Sequence, residues 1–159
     1  MATENKNLSQ FDKTTLPDVT DCTFGIVVSN WNENVTENLY RGAFETLLSC
    51  DVSKENIFKI DVPGSFELIY GASKLMKNKP FIDAIIVIGC VIEGETRHFD
   101  FVCQGVTQGI AQLNTLGEIP VIFCVLTDKN IQQSLDRSGG RLGNKGIEAA
   151  VTAIKLAGI

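Results

Sequence analysis

Four short apolar runs, separated by segments with helical periodicity, constrain the fold of this chain more than any other feature. Three of them, at residues 24–29, 84–92 and 119–126, are continuous, and the second run, at 57–62, is interrupted by Lys59 and Asp61. Continuous apolar runs rich in β-branched residues are typical of strands covered on both faces. Because strands that alternate with helices usually pair in parallel, with the helices packed on both sides of the sheet, the pattern predicts an α/β fold.

The order of these elements, βαβαβαβαα, predicts a three-layer α/β/α sandwich. Its four-stranded parallel sheet would have the strand order 2-1-3-4, a flavodoxin-like layout. One helix carries an apolar stripe between Phe99 and Leu113, and a glycine-rich loop at 138–146 precedes the last helix. From caps and breakers we expect the other helices to run from Asn34 to about Cys50, from Ser65 to about Lys77, and from Thr127 or Asp128 to about Arg137.

The chain length predicts a single folded unit. The 159 residues correspond to one domain of about 150 residues. Residues 1–20 are polar and lack periodicity, so we interpret them as an N-terminal arm and residues 21–159 as one α/β domain. Because an open sheet leaves unpaired edge strands, we expect the arm to cover the sheet edge of a neighbouring subunit.

Charge and hydropathy exclude several classes of function. Fourteen basic and 19 acidic residues give a net charge of −5, so the chain lacks the basic excess typical of nucleic-acid binders. The longest apolar run, 82–92, is too short to span a bilayer, and the polar first residues do not resemble a secretion signal. We therefore expect no nucleic-acid or membrane partner and a cytoplasmic location.

Cysteine and histidine usage argues against a metal or a disulfide framework. The cysteine count of five is odd, and no two cysteines have CxxC spacing. The single histidine belongs to no cluster of carboxylates that could bind a catalytic metal. Neither a GxxxxGK[ST] loop nor a GxGxxG turn after the first strand is present. The sequence therefore predicts neither a metal nor a cofactor.

The only tryptophan and the only histidine both follow predicted strands. Trp31 comes after the first strand, and His98 follows the third. Ligands of open α/β sheets bind outside the carboxyl ends of the strands, which is where both side chains would lie. Trp31 is either a stacking surface for a flat heterocycle or a cap on the end of the sheet. His98 is either a general acid–base or a helix residue without a chemical role.

Two glycine-bearing turns and a basic cluster lie near the same edge. The turns at 63–67 and 93–98 each open a helix, whose free N–H groups suit an anion or a polyol. Arg97, Arg137 or Lys145 would supply the matching positive charge. The alternative interpretation is that the basic residues near 138–146 form only a solvated patch.

Four sequence blocks resemble the lumazine synthase family. They are VPGSFEL at 62–68, GCVIEGETRHFD at 89–100, PVIFCVLT at 120–127 and DRSGGRLGNKG at 136–146. The similarity runs from about residue 24 to about residue 156. It implies an enzyme of riboflavin biosynthesis that joins 5-amino-6-(D-ribitylamino)uracil to 3,4-dihydroxy-2-butanone 4-phosphate. The products would be 6,7-dimethyl-8-ribityllumazine, phosphate and water.

The resemblance also implies a role for each matching residue. His98 would transfer protons, and Trp31 would stack on the pyrimidine ring. The residues implied to hold the ribityl chain, the ring and the phosphate are Ser65, Phe66, Glu67, Val91, Ile92, Glu95 and Thr96. Those implied to enter the site from an adjacent subunit are Phe123, Arg137 and Lys145.

The resemblance implies a homo-oligomer, either a pentamer or an icosahedral shell of pentamers. The compact 138–146 loop favours the shell, and riboflavin synthase is a candidate partner. Two other functions fit the same fold: a flavin- or lumazine-binding electron carrier, and a shell-forming protein without enzymatic activity. A response-regulator receiver fits less well, because the third strand ends in Cys90-Val91-Ile92 without an aspartate to phosphorylate.

Overall fold

A computed structural model describes residue 7, residues 9–117 and residues 119–159 of the chain. Its centre is a parallel sheet of four strands in the order β2-β1-β3-β4. This order confirms the α/β fold and the strand sequence 2-1-3-4 expected from the alternating pattern. The strands are β1 (Phe24–Ser29), β2 (Ile57–Val62), β3 (Ala84–Ile92) and β4 (Val121–Asp128).

In the described part of the chain, five α-helices flank this sheet. They are α1 (Glu33–Ser49), α2 (Leu68–Asn78), α3 (His98–Leu116), α4 (Ile131–Arg137) and α5 (Lys145–Ala157). One apolar core lies between the sheet and the α1–α5 pair, and a second lies between the sheet and the α2–α3 pair. The expected three-layer α/β/α arrangement is therefore confirmed.

The alternation of side chains along β1 divides its residues between the two cores. Ile26 and Val28 pack on the α1–α5 side, whereas Val27 packs on the α2–α3 side. All residues of β1 are buried, and burial of an aliphatic side chain of this size contributes about 1.5–3 kcal/mol. Because each face of the strand is covered, the sequence shows a continuous apolar run rather than alternation.

The expected starts of three helices were wrong by one or a few residues. Helix α1 begins at Glu33. The residue before it, Asn32, has a left-handed conformation (φ 59°) and therefore cannot belong to the helix. Helix α2 begins at Leu68, after a turn in which the Leu68 N–H donates to the Ser65 carbonyl. Strand β4 continues to Asp128, so Asn130 caps α4 by accepting from the Gln133 N–H at 3.0 Å.

The glycine-rich segment before α5 also differs from its expected form. It forms a small antiparallel hairpin, β5 (Ser138–Gly140) and β6 (Gly143–Asn144), rather than an irregular loop. Gly139 and Gly143 both have positive φ, 118° and 86°, which glycine adopts with little strain. The hairpin therefore explains why glycines occur at these two positions.

The N-terminal arm contacts its own chain in the part that is described. Val19 is buried in the α1–α5 core, and the Asn144 N–H donates to Ser9 Oγ at 2.9 Å. Pro17 lies against Gly158, just after the end of α5. Residues 1–6 and 8 of the arm lie outside the described residues, so coverage of a neighbour's sheet edge stays a prediction. None of the helices in the described ranges has the length and hydropathy needed to cross a bilayer.

Candidate active site

A cavity of about 650 Å³ opens at the carboxyl ends of β1 and β3. Three segments converge on it because parallel strands end at the same edge of the sheet: the turn after β1, the turn before α2, and the end of β3 with the start of α3. The sequence-predicted residues that line it are Trp31, Ser65, Phe66, Glu67, Val91, Ile92, Thr96 and His98.

Further lining residues were not proposed from the sequence. Phe99 and Val102 were assigned to the apolar stripe of a helix, but here they face the cavity. Phe101 also lines it, although its side chain is 65% exposed. An aromatic residue that falls off the apolar stripe of a helix was the one signal that could have identified Phe101. The other lining residues are Gly64, Cys90 and Gly94.

The turn before α2 brings a buried hydroxyl to the cavity. Ser65 is 6% exposed, and its Oγ has no hydrogen-bond partner among the described residues. An unpartnered buried hydroxyl is unfavourable, and the residue that carries it lines the cavity. Phe66 packs on Gly105 of α3, where a side chain would collide with the ring, and Glu67 is exposed at the cavity rim.

Trp31 lies over the cavity with 69% of its surface exposed. Its backbone N–H donates to Ser29 Oγ at 3.2 Å, and the following Asn32 donates from Nδ2 to the Cys90 carbonyl at 3.0 Å. The first bond lies within the turn after β1, and the second connects this turn to the end of β3. The large exposed ring surface favours the stacking interpretation over a cap that is buried on the sheet end.

His98 is the first residue of α3 and is exposed at the cavity. Its backbone N–H lies 3.4 Å from Thr96 Oγ1. The first N–H groups of a helix have no partner within the helix and carry a partial positive charge. The segment 94–98 therefore combines an imidazole, a hydroxyl and helix N–H groups beside one cavity.

Four predicted residues do not line this cavity. Glu95 lies between two lining residues without itself being one, and Phe123 lines a separate groove of about 320 Å³ between β4 and α3. Arg137 donates from Nη1 to the Gln133 carbonyl at 2.9 Å, and Lys145 pairs with Glu148 at 2.7 Å. A single chain therefore does not unite Phe123, Arg137 and Lys145 with the cavity.

All five cysteines are free thiols. Cys90 lines the cavity. Burial raises the pKa of the Cys90 thiol above its ordinary value, while its hydrogen bond to Ser134 acts in the opposite direction. Cys90 is therefore a neutral thiol. Within the described ranges, no three His, Cys, Asp or Glu side chains are grouped as a metal site.

One known protein family matches most of this chain. The family model described as 6,7-dimethyl-8-ribityllumazine synthase matches residues 21–159. The chain belongs to this family. Members of the 6,7-dimethyl-8-ribityllumazine synthase family are transferases of riboflavin biosynthesis, so the enzyme class and the pathway expected from the four sequence blocks are confirmed.

Individual relatives of this family are similar over nearly the whole chain. The 6,7-dimethyl-8-ribityllumazine synthase of Flavobacterium johnsoniae is 66% identical over 99% of this chain and 82% of the relative. The one of Christiangramia forsetii is 61% identical over 99% of this chain and 94% of its own. The one of Porphyromonas gingivalis is 53% identical over the full chain and 98% of its own length.

Proposed function

We propose that the cavity binds 5-amino-6-(D-ribitylamino)uracil and condenses it with 3,4-dihydroxy-2-butanone 4-phosphate to 6,7-dimethyl-8-ribityllumazine. The observation that carries this proposal is a single cavity lined by Trp31, His98 and Ser65, whose buried Oγ has no hydrogen-bond partner among the described residues. A polyol chain supplies partners for a buried hydroxyl, and a flat ring suits an exposed indole. Both chemical features occur in ribitylaminouracil.

The three segments at the cavity divide the ribitylaminouracil between them. Trp31 stacks on the pyrimidine ring, and Val91 and Ile92 at the end of β3 provide its apolar surroundings. The ribityl hydroxyls exchange hydrogen bonds with Ser65 and with the carboxylate of Glu67, while Phe66 closes that side. The half-buried state of Val91 and Ile92 supports this arrangement, because it leaves apolar surface for a ligand to cover.

The reaction needs no nucleophile from the enzyme. The 5-amino group of the uracil attacks the ketone carbon, and loss of water gives an imine. Loss of phosphate follows, and the ribitylamino nitrogen then closes the second ring with loss of another water. Each step moves a proton, and His98 at the cavity is placed to accept and return it, a role that contributes about 10²–10⁴-fold. Holding both substrates in register contributes a further part of the acceleration.

The phosphate of the second substrate binds at the start of α3. Glu95 and Thr96 supply N–H groups and a hydroxyl there, and the dipole of this 19-residue helix favours an anion. Arg137 from an adjacent subunit pairs with the phosphate and assists its departure. Phe123 and Lys145 of that subunit complete the ring pocket. Their separation from the cavity within one chain supports a site shared between subunits.

We infer that the functional unit is a pentamer, and that the pentamers assemble into an icosahedral shell. The compact β5–β6 hairpin supports the shell, because it adds no bulk at the 138–146 segment. Sedimentation velocity and electron microscopy test this inference, and particles no larger than pentamers would contradict the shell. Riboflavin synthase is the proposed partner, and the cytoplasm is the proposed location, which suits five free cysteines.

A direct assay tests the enzymatic proposal. Purified protein is mixed with both substrates, and the fluorescence of the lumazine product is followed against the spontaneous reaction without protein. We expect a rate well above the spontaneous one, which disappears when either substrate is omitted. Binding of the lumazine product without acceleration would instead support a flavin- or lumazine-binding protein or a non-enzymatic shell protein.

A further inference from the structure

A chain of buried polar contacts runs from the cavity to Arg137. Cys90, which lines the cavity, donates from Sγ to Ser134 Oγ at 3.4 Å, and Ser134 Oγ donates to Asp128 Oδ2 at 2.8 Å. The second carboxylate oxygen, Asp128 Oδ1, lies 3.9 Å from Arg137 Nη1. We call these four residues the Asp128 network. None of the roles proposed above uses Asp128 or Ser134.

The Asp128 carboxylate is largely buried, so its charge must be stabilised by neighbouring groups rather than by water. Its side chain is 10% exposed, and Ser134 is fully buried. A carboxylate removed from water is unfavourable unless donors and a cation replace its hydration. Ser134 supplies the donor and Arg137 the cation, so each carboxylate oxygen faces one partner.

The same geometry restrains the guanidinium of Arg137. Its Nη1 donates to the Gln133 carbonyl at 2.9 Å on one side and faces Asp128 on the other. The side chain remains 35% exposed, so the rest of the guanidinium fork is open to a further acceptor. The Asp128 backbone is itself held, because its carbonyl accepts from the Glu93 N–H at 2.9 Å.

We propose that Asp128 is a positioning residue, which holds Arg137 in the orientation that binds the substrate phosphate. The inference rests on the proposed role of Arg137 as the phosphate ligand. An arginine whose orientation is already restrained loses less side-chain entropy when it binds an oxyanion. The negative charge of the Asp128 carboxylate also offsets part of the positive charge of Arg137, and this reduction weakens phosphate binding. The two effects therefore predict opposite changes when the carboxylate is removed, and the proposal states that orientation dominates.

The experiment compares the Michaelis constants of both substrates in full-length variants. Asp128→Asn removes the charge at nearly constant shape and places an amide opposite Arg137. We expect the KM for butanone phosphate to rise about fivefold, while the KM for ribitylaminouracil stays unchanged. Competitive inhibition by inorganic phosphate should weaken by the same factor. Ser134→Ala removes the donor to Asp128. It should also raise the KM for butanone phosphate and the inhibition constant of phosphate, by a smaller factor than Asp128→Asn.

Asp136→Asn is the matched control, because the Asp136 carboxylate also pairs with an arginine, but with Arg141 at 3.3 Å. It should leave both KM values unchanged. The double variant of Asp128→Asn with Arg137→Ala should have the butanone phosphate KM of Arg137→Ala alone, because Asp128 acts through Arg137. Melting temperatures are measured for every variant, since a purely structural role would lower stability without separating the two KM values.

The outcomes separate this inference from the proposed function. If Arg137→Ala leaves the butanone phosphate KM unchanged, the assignment of Arg137 as phosphate ligand is wrong. If Arg137→Ala raises that KM but Asp128→Asn leaves it unchanged or lowers it, only the positioning role is wrong. Should Asp128→Asn fail to fold, the decision passes to Ser134→Ala, and an unchanged phosphate inhibition constant in that variant would overturn the proposal.

Discussion

Gly89 and Ser65 meet at the cavity with no space between them for another methyl group. A Cβ built on Gly89 would lie 2.6 Å from Ser65 Oγ and 2.9 Å from Leu68 Cδ1. Glycine in the middle of a strand often marks such a close approach. Here it allows the turn that carries Ser65, a residue that lines the cavity, to pack directly on β3.

This contact predicts the effect of Gly89→Ala. The added methyl group must displace Ser65 and Leu68, so we expect a loss of about 1–3 kcal/mol in the free energy of unfolding and a higher KM for ribitylaminouracil. Urea unfolding and steady-state kinetics measure the two effects. The control is Gly94→Ala, where no atom lies within 4 Å of the new Cβ, and its stability should be unchanged. Unaltered stability of Gly89→Ala would contradict the tight contact.

Trp31 provides a second prediction, because its exposed ring is proposed to stack on the pyrimidine. Trp31→Ala should raise the KM for ribitylaminouracil by about three- to tenfold, the range expected for loss of one aromatic stack. Trp31→Phe retains a ring and should recover most of this loss. Since the side chain is 69% exposed, the melting temperature should change little in either variant. Equal KM values for the two variants would exclude stacking.

His98 and Arg137 should affect different kinetic constants. His98→Ala removes proton transfer, so we expect kcat to fall by about 100-fold or more, with little change in either KM. Arg137→Ala removes a phosphate ligand and should mainly raise the KM for butanone phosphate. Product fluorescence at varied concentrations of each substrate yields both constants. If each variant changed kcat and KM in equal proportion, this division of roles would be wrong.

Cys124 predicts how stability depends on alkaline pH. Burial raises the pKa of its thiol from 9.0 to about 12, although the charge of Lys145 acts in the opposite direction. Between these values the unfolded chain loses the proton and the native chain keeps it. The contribution of this thiol to the free energy of unfolding is therefore fully present below about pH 9. Above that pH the contribution falls by up to about 1.4 kcal/mol per pH unit.

Urea unfolding between pH 8 and pH 10.5 measures this dependence. Cys124→Ala removes the titrating thiol and should flatten the decline, although it lowers stability slightly at pH 8 by leaving a small cavity. Cys103→Ala is the matched control, because Cys103 is only half-buried, and it should preserve most of the slope. Identical slopes for the wild-type protein and Cys124→Ala would show that the thiol ionises as readily in the folded chain.

Asn114 is expected to contribute to the stability of the fold without taking part in the candidate active site. Its Oδ1 accepts from the Val121 N–H at 2.8 Å, and its Nδ2 donates to the Val121 carbonyl at 2.9 Å. Asn114→Ala leaves both backbone groups of this edge strand without a partner and should cost about 1–3 kcal/mol. Asn114→Asp keeps the acceptor but places a second acceptor oxygen opposite the Val121 carbonyl, so it should also lower stability. Urea unfolding of the two variants decides, and equal stability of Asn114→Ala and wild type would contradict the role.

Local sequence patterns were sufficient for the central strands. The limits of β1 and β3 agree with the apolar runs at 24–29 and 84–92, because strands covered on both faces leave a continuous apolar signal. The limits of the helices required tertiary contacts. Asn32, the residue before α1, has a left-handed conformation, and its side chain donates a hydrogen bond to the Cys90 carbonyl, 58 residues away. No local pattern contains that partner.

Sequence patterns predicted the sheet order, the edge at which a ligand is expected, and the residues that follow each strand there. They could do so because side-chain periodicity and the handedness of strand–helix–strand connections are local rules. The folded chain was needed to show that Phe101 lines the cavity, that Ser65 Oγ is buried with no partner among the described residues, and that Asp128 faces Arg137. These features depend on distances between segments distant in the chain, which packing of the two cores sets and no local pattern encodes.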